Sequence, residues 1–204
     1  VGALTSDDFR FQMRVWFLKE TKSLCTGCGT GCNTVIGSRE NKMYRYEPRQ
    51  NDAVNSCWMC DTGRLDYKWI GRDDRLAKLR GPNGDITWPS ALQEISDHLA
   101  KAAEGSVAIV ASSRQTNEEL FLLNKLAKRY KALTDSVRRK GEADHLLVAG
   151  DRNPNTTGAQ LTGITTKRVG SRLAAIAKGI VSGKITTLIV FGEDVMQHGI
   201  DATL

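Results

Sequence analysis

From Asn33 to Pro48 the sequence "NTVIGSRENKMYRYEP" sets short mixed apolar and polar segments on either side of Glu40-Asn41. That pattern predicts a β-hairpin with its turn at Glu40-Asn41 and its second strand closed by Pro48. Upstream, residues 9–24 mix aromatic and basic side chains and run through Thr21, Lys22 and Ser23 towards the first cysteine. Gly81-Pro82-Asn83-Gly84 is the strongest break in the chain and marks an expected domain boundary.

Beyond that break the rhythm becomes helical. Leu92, Ile95 and Leu99, with Pro89 early and Gly105 as a stop, predict an amphipathic helix. "SVAIVAS" carries the signal of a buried strand. Thr116 with Glu119 forms a capping box that opens a second helix reaching about Lys131. Residues 133–168, rich in Gly, Asn, Thr and Pro, read as a long irregular excursion. A third helix over about 170–182 leads into the strand "ITTLIVFG". Alternating helix and strand predict a parallel α/β domain. Its strands are too few for a finished sheet, so the sequence reads as the start of such a domain within a longer protein.

Composition narrows the partners. Of 204 residues, 40% are hydrophobic and 25% charged, as in ordinary globular chains. The net charge of +6 is spread: residues 1–80 hold 14 basic against 10 acidic side chains, and residues 81–204 hold 15 against 13. The densest basic run, Lys125 to Lys140, lacks a nucleic-acid motif and reads mainly as a solvated helix face, with an acidic protein neighbour as the second choice, so no nucleic-acid partner is expected. No apolar run approaches the ~20 residues of a membrane span. The opening "VGALTSDDFRF" is not a signal peptide, and direct membrane insertion is not expected.

Chemistry concentrates in the cysteines. Cys25, Cys28 and Cys32 fall in "LCTGCGTGCN", and Cys57 and Cys60 in "NSCWMCDTGR". An odd number of thiols in two tight groups argues against a disulfide framework and for metal in a reducing compartment. Two metal readings fit the spacing. A cubane 4Fe–4S cluster would take Cys25, Cys28, Cys32 and Cys60, a tight loop reaching three iron corners and a distant segment the fourth. Gly27, Gly29 and Gly31 suit that curling. A zinc ribbon would instead pair Cys25 and Cys28 with Cys57 and Cys60, leaving Cys32 idle and stretching the usual gap between pairs.

The order of cysteines followed by "CDTGRLDY" resembles the iron–sulfur domain shared by molybdopterin oxidoreductases and the large iron–sulfur subunit of bacterial NADH–quinone oxidoreductase, respiratory complex I. "VGALTS" with "FRFQMRVWFLKETKSLC" is similar to that subunit's linker after its ferredoxin-like clusters, and "MYRYEPRQNDAVN" to the run before its fourth cysteine. "DRNPNTTGAQLTGI" and "LIVFGEDV" resemble its downstream α/β domain. The resemblance implies a linker over 1–20 from a ferredoxin-like region, a β-rich 4Fe–4S domain over 21–80, and the start of a molybdopterin-oxidoreductase-like parallel α/β domain over 81–204. It implies one 4Fe–4S cluster on Cys25, Cys28, Cys32 and Cys60, with Cys57 a buried or partly buried thiol. It further implies an electron-transfer role beside other subunits of the peripheral arm, on the cytoplasmic side of the inner membrane.

Within that superfamily, pterin-dependent enzymes such as formate dehydrogenases usually place a lysine two positions after the fourth cysteine; here Thr62 stands there. "VASSRQTNEE" lacks a glycine-rich phosphate loop, and "FGEDV" presents Glu193 and Asp194, which repel phosphate. Molybdopterin is therefore not expected, and a formate dehydrogenase fragment is the second reading, a zinc-ribbon module the third. No nucleophile–base pair is apparent, so no catalytic residue is assigned. His98, His145 and His198 are scattered and read as surface residues, and the sequon at Asn155 as inert. Tyr44, Tyr46, Trp58 and Trp69 are expected to pack around the cysteine segments.

Overall fold

The computed structural model describes residues 5–198 and residue 200. Three antiparallel strands make the first sheet, in the order β1 (Lys19–Leu24), β2 (Asn33–Arg39) and β3 (Lys42–Pro48). Glu40 and Asn41 both adopt left-handed backbone, φ 51° and 61°, the paired conformation of a two-residue hairpin turn. The expected hairpin therefore forms, with a register shift between Gly37 and Ser38. Strand β1 pairs along its whole length, Lys19 opposite Ser38 through Leu24 opposite Asn33. Its sequence, "KETKSL", is polar and largely exposed, so no alternation announces it. Of the expected linker over 1–20, residues 1–4 lie outside the described residues, and the sheet has already begun at Lys19.

A five-residue helix, α1 (Asp61–Leu65), follows the last cysteine. The "GPNG" break forms a minimal ribbon of β4 (Arg80–Gly81) and β5 (Gly84–Asp85). Helix α2 (Trp88–Ala100) starts at Thr87, whose hydroxyl accepts from the Ser90 N–H at 3.4 Å, with Pro89 in the first turn. It ends at Ala100, short of Gly105. Only Ala91 and Leu99 are buried on it; Leu92 and Ile95, expected to face the core, are 59% and 55% exposed.

The second main sheet is parallel, in the order β7 (Leu133–Asp135), β6 (Val107–Ala111), β8 (Thr187–Phe191). Every residue of central β6 is fully buried. Its alternate side chains serve two faces, because successive residues of a strand point to opposite sides. Val107, Ile109 and Ala111 pack with Leu99, Leu120, Leu123, Ala127, Ala159 and Ile164. Ala108 and Val110 pack with Val137, Ile176, Ile185, Val195 and Ile200. Leu120, Leu123 and Ala127 come from helix α3 (Asn117–Tyr130), opened by the expected capping box: Glu119 N–H donates to Thr116 Oγ1 at 3.3 Å and Thr116 N–H to Glu119 Oε2 at 2.8 Å. The basic residues Lys125, Lys128 and Arg129 lie on its exposed side.

Residues 133–168 are more ordered than their composition suggests. They contain β7 and helix α4 (Thr156–Leu161), whose N-terminus is capped by Asn155, Oδ1 accepting from Gly158 N–H at 3.1 Å. Three residues of strand and six of helix are too short to impose a period on the sequence. Helix α5 (Leu173–Val181) falls within the expected 170–182. The outcome is a mixed α/β chain with a small antiparallel sheet first and a parallel sheet later.

The chain divides into two compact units, at a different place from the sequence boundary. One runs through Arg75 and takes in Arg139–Pro154; the other holds Leu76–Arg138 and the residues from Asn155 onward. The segment 139–154, expected within the α/β domain, thus belongs with the cysteines.

Candidate metal centre

Cys25, Cys28 and Cys32 occupy the loop that joins β1 to β2. Cys25 N–H donates to Cys32 carbonyl at 2.8 Å and closes the loop at its base. Gly31, at φ 64°, makes the left-handed step that curls the chain, and its N–H donates to Cys28 carbonyl at 3.3 Å. All three thiols are buried. Cys25 and Cys32 pack with Tyr46 and Met59, and the Tyr46 hydroxyl donates to the Leu24 carbonyl at 2.7 Å, next to the first cysteine.

Cys60 arrives on a separate segment. Asn55, 3% exposed, holds that segment in place: its Oδ1 accepts from Asn33 N–H at 2.9 Å and its Nδ2 donates to Trp58 carbonyl at 2.9 Å. Asn33 directly follows Cys32, so one side chain fixes the second cysteine group against the end of the first. Cys60 then caps α1, its Sγ accepting from Gly63 N–H at 3.3 Å. A methyl at Gly63 would stand 3.1 Å from Cys25 Sγ and 3.4 Å from Cys60 Sγ. The glycine of "CDTGR" is therefore the gap through which two thiols reach each other.

The thiols feel one another electrostatically. Burial chiefly raises Cys25, with Cys60, Cys28 and Asp66 adding to it against a Gly27 backbone hydrogen bond. Burial and the neighbouring Cys25, Cys28 and Cys60 push Cys32 up to about 11. Burial also acts to raise Cys28, but hydrogen bonds from Thr30 and Ala149 and the charge of Arg152 outweigh it, and its thiol lies below the usual value. Negative charge at neighbouring thiols disfavours the thiolates of Cys25 and Cys32, a cost that a bound cation would offset.

Cys57 stands outside this group. Contrary to expectation it is exposed, whereas Cys25, Cys28 and Cys32 are buried. Trp58 and Trp69 are exposed too, 70% and 43%, so of the aromatics expected around the cysteines Tyr46 alone is buried. Among the described residues no three His, Cys, Asp or Glu side chains sit as the ligands of a single ion do. A zinc site draws its sulfurs to within roughly 4 Å of one another, given Zn–S bonds near 2.3 Å. A cubane spaces its thiolates more widely, with iron and sulfide between them.

The segment 139–154 is the part of the site that spacing could not reveal. Asp151 carbonyl accepts from Gly29 N–H at 2.8 Å, and Leu147 carbonyl accepts from Thr30 Oγ1 at 2.6 Å. Leu147 also packs against the core of Cys25, Cys32, Tyr46 and Met59. His98 is exposed and bonded to Thr187 Oγ1 at 2.9 Å, and Asn155 is occupied as a helix cap, so neither adds to the site.

Comparison with known proteins bears on this arrangement of loop, strands and fourth cysteine. Residues 18–70 match the molybdopterin oxidoreductase Fe4S4 domain. The match takes in all three strands and all five cysteines. The chain is 33% identical over 133 residues to an NADH-quinone oxidoreductase subunit of Streptomyces coelicolor, an alignment covering 63% of this chain and 16% of that protein. It is 31% identical over 134 residues to an NADH-quinone oxidoreductase subunit of Thermus thermophilus, covering 64% and 17%. It is 31% identical over 130 residues to Staphylococcus aureus proteins named as putative formate dehydrogenases, covering 60% and 13%. The chain thus spans under a fifth of the length of the relatives it matches. No helix among the described residues is long and apolar enough to cross a membrane.

Proposed function

We propose that Cys25, Cys28, Cys32 and Cys60 hold one 4Fe–4S cluster, and that the chain is part of an electron-transfer subunit of the peripheral arm of NADH–quinone oxidoreductase, held at the cytoplasmic side of the membrane through the other subunits. The observation that carries the ligand set is the approach of the Cys25 and Cys60 sulfurs at Gly63, with Cys28 and Cys32 buried in the same loop as Cys25 and Cys57 exposed. The group fits because the loop supplies backbone donors at Gly27, Thr30 and Gly63 to sulfur and leaves no side chain between Cys25 and Cys60. A bound cluster would supply one-electron chemistry; the residues here hold it, shield it and set its surroundings.

A second reading, part of a molybdenum-dependent formate dehydrogenase, is favoured by the relatives of that name at similar identity. Against it stands Thr62, exposed on α1 where a cation would be wanted between cluster and pterin. Anaerobic purification with iron, sulfide, zinc, molybdenum and pterin quantified tests both. Four iron and four sulfide per chain without molybdenum support the complex I reading. Stoichiometric pterin supports formate dehydrogenase, and one zinc per chain sinks the cluster assignment.

A further inference from the structure

We infer that Arg139–Pro154 is a strap closed over the cysteine loop, latched by the Thr30 hydroxyl and the Leu147 side chain, and that its lifting as one piece sets how fast bound iron is lost; this rests on the cluster reading above.

The strap holds itself together. Gly141 N–H donates to Gly150 carbonyl at 3.0 Å, and Arg152 N–H to Arg139 carbonyl at 3.1 Å, with a bridge between Lys140 and Asp151. Arg152 Nη2 ties across to Glu142 carbonyl at 2.7 Å. The tip is wound around Asp144, whose N–H donates to Val148 carbonyl at 3.1 Å. Asp144 Oδ1 accepts from the N–H groups of Leu146, Leu147 and Val148 at 3.0, 2.7 and 2.7 Å. None of these bonds involves the cysteine loop. A segment closed on itself in this way can open as a unit without unfolding its surroundings.

Its hold on the loop is of a different kind. Asp151 carbonyl accepts from Gly29 N–H at 2.8 Å, and Leu147 carbonyl accepts from Thr30 Oγ1 at 2.6 Å. A Cβ on Gly29 would stand 3.5 Å from Asp151 Cβ and 3.6 Å from Asn153 carbonyl oxygen, so the two backbones run side by side there. The Leu147 side chain packs on the buried group of Cys25, Cys32, Tyr46 and Met59, and it is the residue whose carbonyl takes the Thr30 hydroxyl. One strap residue therefore both caps two thiols and carries the latch. The other approaches are closed more firmly. Strand β1 pairs with β2 from Lys19 to Leu24, right up to Cys25. Asn55 Nδ2 holds the run to Cys60 through the carbonyls of Asn33, Arg49 and Trp58 as well as through its Oδ1. Leu146, beside the latch, is 93% exposed and takes no part in it.

The test uses the chain loaded anaerobically with iron and sulfide, mixed in reducing buffer with excess ferrous-iron chelator, and followed by absorbance. In the unmodified chain, release should stay nearly flat in urea below the unfolding transition, because lifting the strap exposes little surface. Thr30→Val keeps the shape and removes the donor, and should speed release by roughly two- to tenfold, the factor one net hydrogen bond commands. Leu147→Ala should speed it at least as much, and Leu146→Ser should leave it unchanged. In Thr30→Val, hydrogen exchange at the Gly141, Leu147 and Val148 amides should rise together by the same factor as release. Wild-type release in both Thr30→Val and Leu147→Ala overturns the inference, as does faster release with no change at the strap amides, or an equal effect of Leu146→Ser. Should the latch variants fail to load, the unmodified chain decides: release that climbs with urea as steeply as unfolding overturns the strap, and flat release supports it. Failure of the unmodified chain to load iron would overturn the cluster reading instead.

Discussion

Asn55 accepts the backbone N–H of Asn33 on its side-chain oxygen at 2.9 Å, and so ties the approach to Cys60 to the residue after Cys32. Both residues are buried, Asn55 at 3% and Asn33 at 8% exposure. Truncation as Asn55→Ala leaves the Asn33 N–H and the Trp58 carbonyl without this partner. An unsatisfied buried polar group costs roughly 1–3 kcal/mol, and the Asn33 N–H is such a group. Denaturant unfolding of the cysteine unit should show a loss in that range, with faster release of iron to a chelator. A loss of only a few tenths would mean the segment is held elsewhere.

Serine at each of positions 25, 28, 32 and 60 should abolish a stoichiometric cluster, since each leaves an iron corner without thiolate. Cys57→Ser should keep the brown colour and the EPR signal after reduction. Iron retained in Cys32→Ser but lost in Cys57→Ser would point to the paired, zinc-type arrangement.

Gly63→Ala sets two effects against each other. Alanine favours helix over glycine by up to about 1 kcal/mol, which helps α1. The same methyl would press on Cys25 Sγ at 3.1 Å and Met59 Cε at 3.3 Å, in the gap between two ligands. Displacement of a ligand should win. Iron content per chain should fall even though far-UV circular dichroism changes little, and full iron content would contradict the role given to this glycine.

Asp144 offers a pH test away from the cysteines. Its carboxyl lies below the usual value because the Leu147, Val148 and Leu146 amides, in that order, favour the anion. A depressed folded pKa contributes stability that is present above the ordinary aspartate value and is lost as pH falls through the folded one. The strap tip should therefore stay protected at neutral pH and loosen only in acid below 3.8, the unshifted value. Carbon-13 titration of the Asp144 carboxyl should give a midpoint below that value; one at or above it would show that the three amides do not hold the anion.

Removal of the metal should act unevenly. The cysteine loop is rich in glycine and poor in aliphatic contacts, so bound metal supplies much of its order. Hydrogen exchange after chelation should rise over residues 25–32 and at Gly63, while Val107–Ala111, fully buried between two apolar clusters, keeps its protection. Unchanged exchange at Gly63 would contradict this.

Some of this was legible in the residues and some was not, for physical reasons. The Glu40-Asn41 turn, the Thr116–Glu119 capping box and the strand at Val107 are local devices, and each formed as the sequence suggests. The grouping of Cys60 with the loop thiols was suggested by spacing and resemblance; in the structure the Cys25 and Cys60 sulfurs meet one glycine, Gly63. Strand β1 is hidden in the sequence because "KETKSL" is a polar edge strand with no inward face to betray it. Leu92 and Ile95 have helical spacing yet no covering partner among the described residues, since period records amphipathicity and not what lies opposite. Asn55 and the strap act through single side-chain and backbone bonds between segments far apart, for which a sequence has no period.

The cysteine loop is also closed by neighbours in sequence, and this has a bearing on biosynthesis. Three of the four thiols and the Cys25–Cys32 bond lie within one hairpin, a structure that can form as soon as β1 and β2 have been synthesised. Leu147, which bonds to Thr30, lies 117 residues further on. At about 5–20 residues per second, a ribosome needs roughly 6–23 s to cover that distance. For that interval the nascent nest lies open on its Cys28 side, to an iron donor and to oxidants alike, until the strap emerges to cover it.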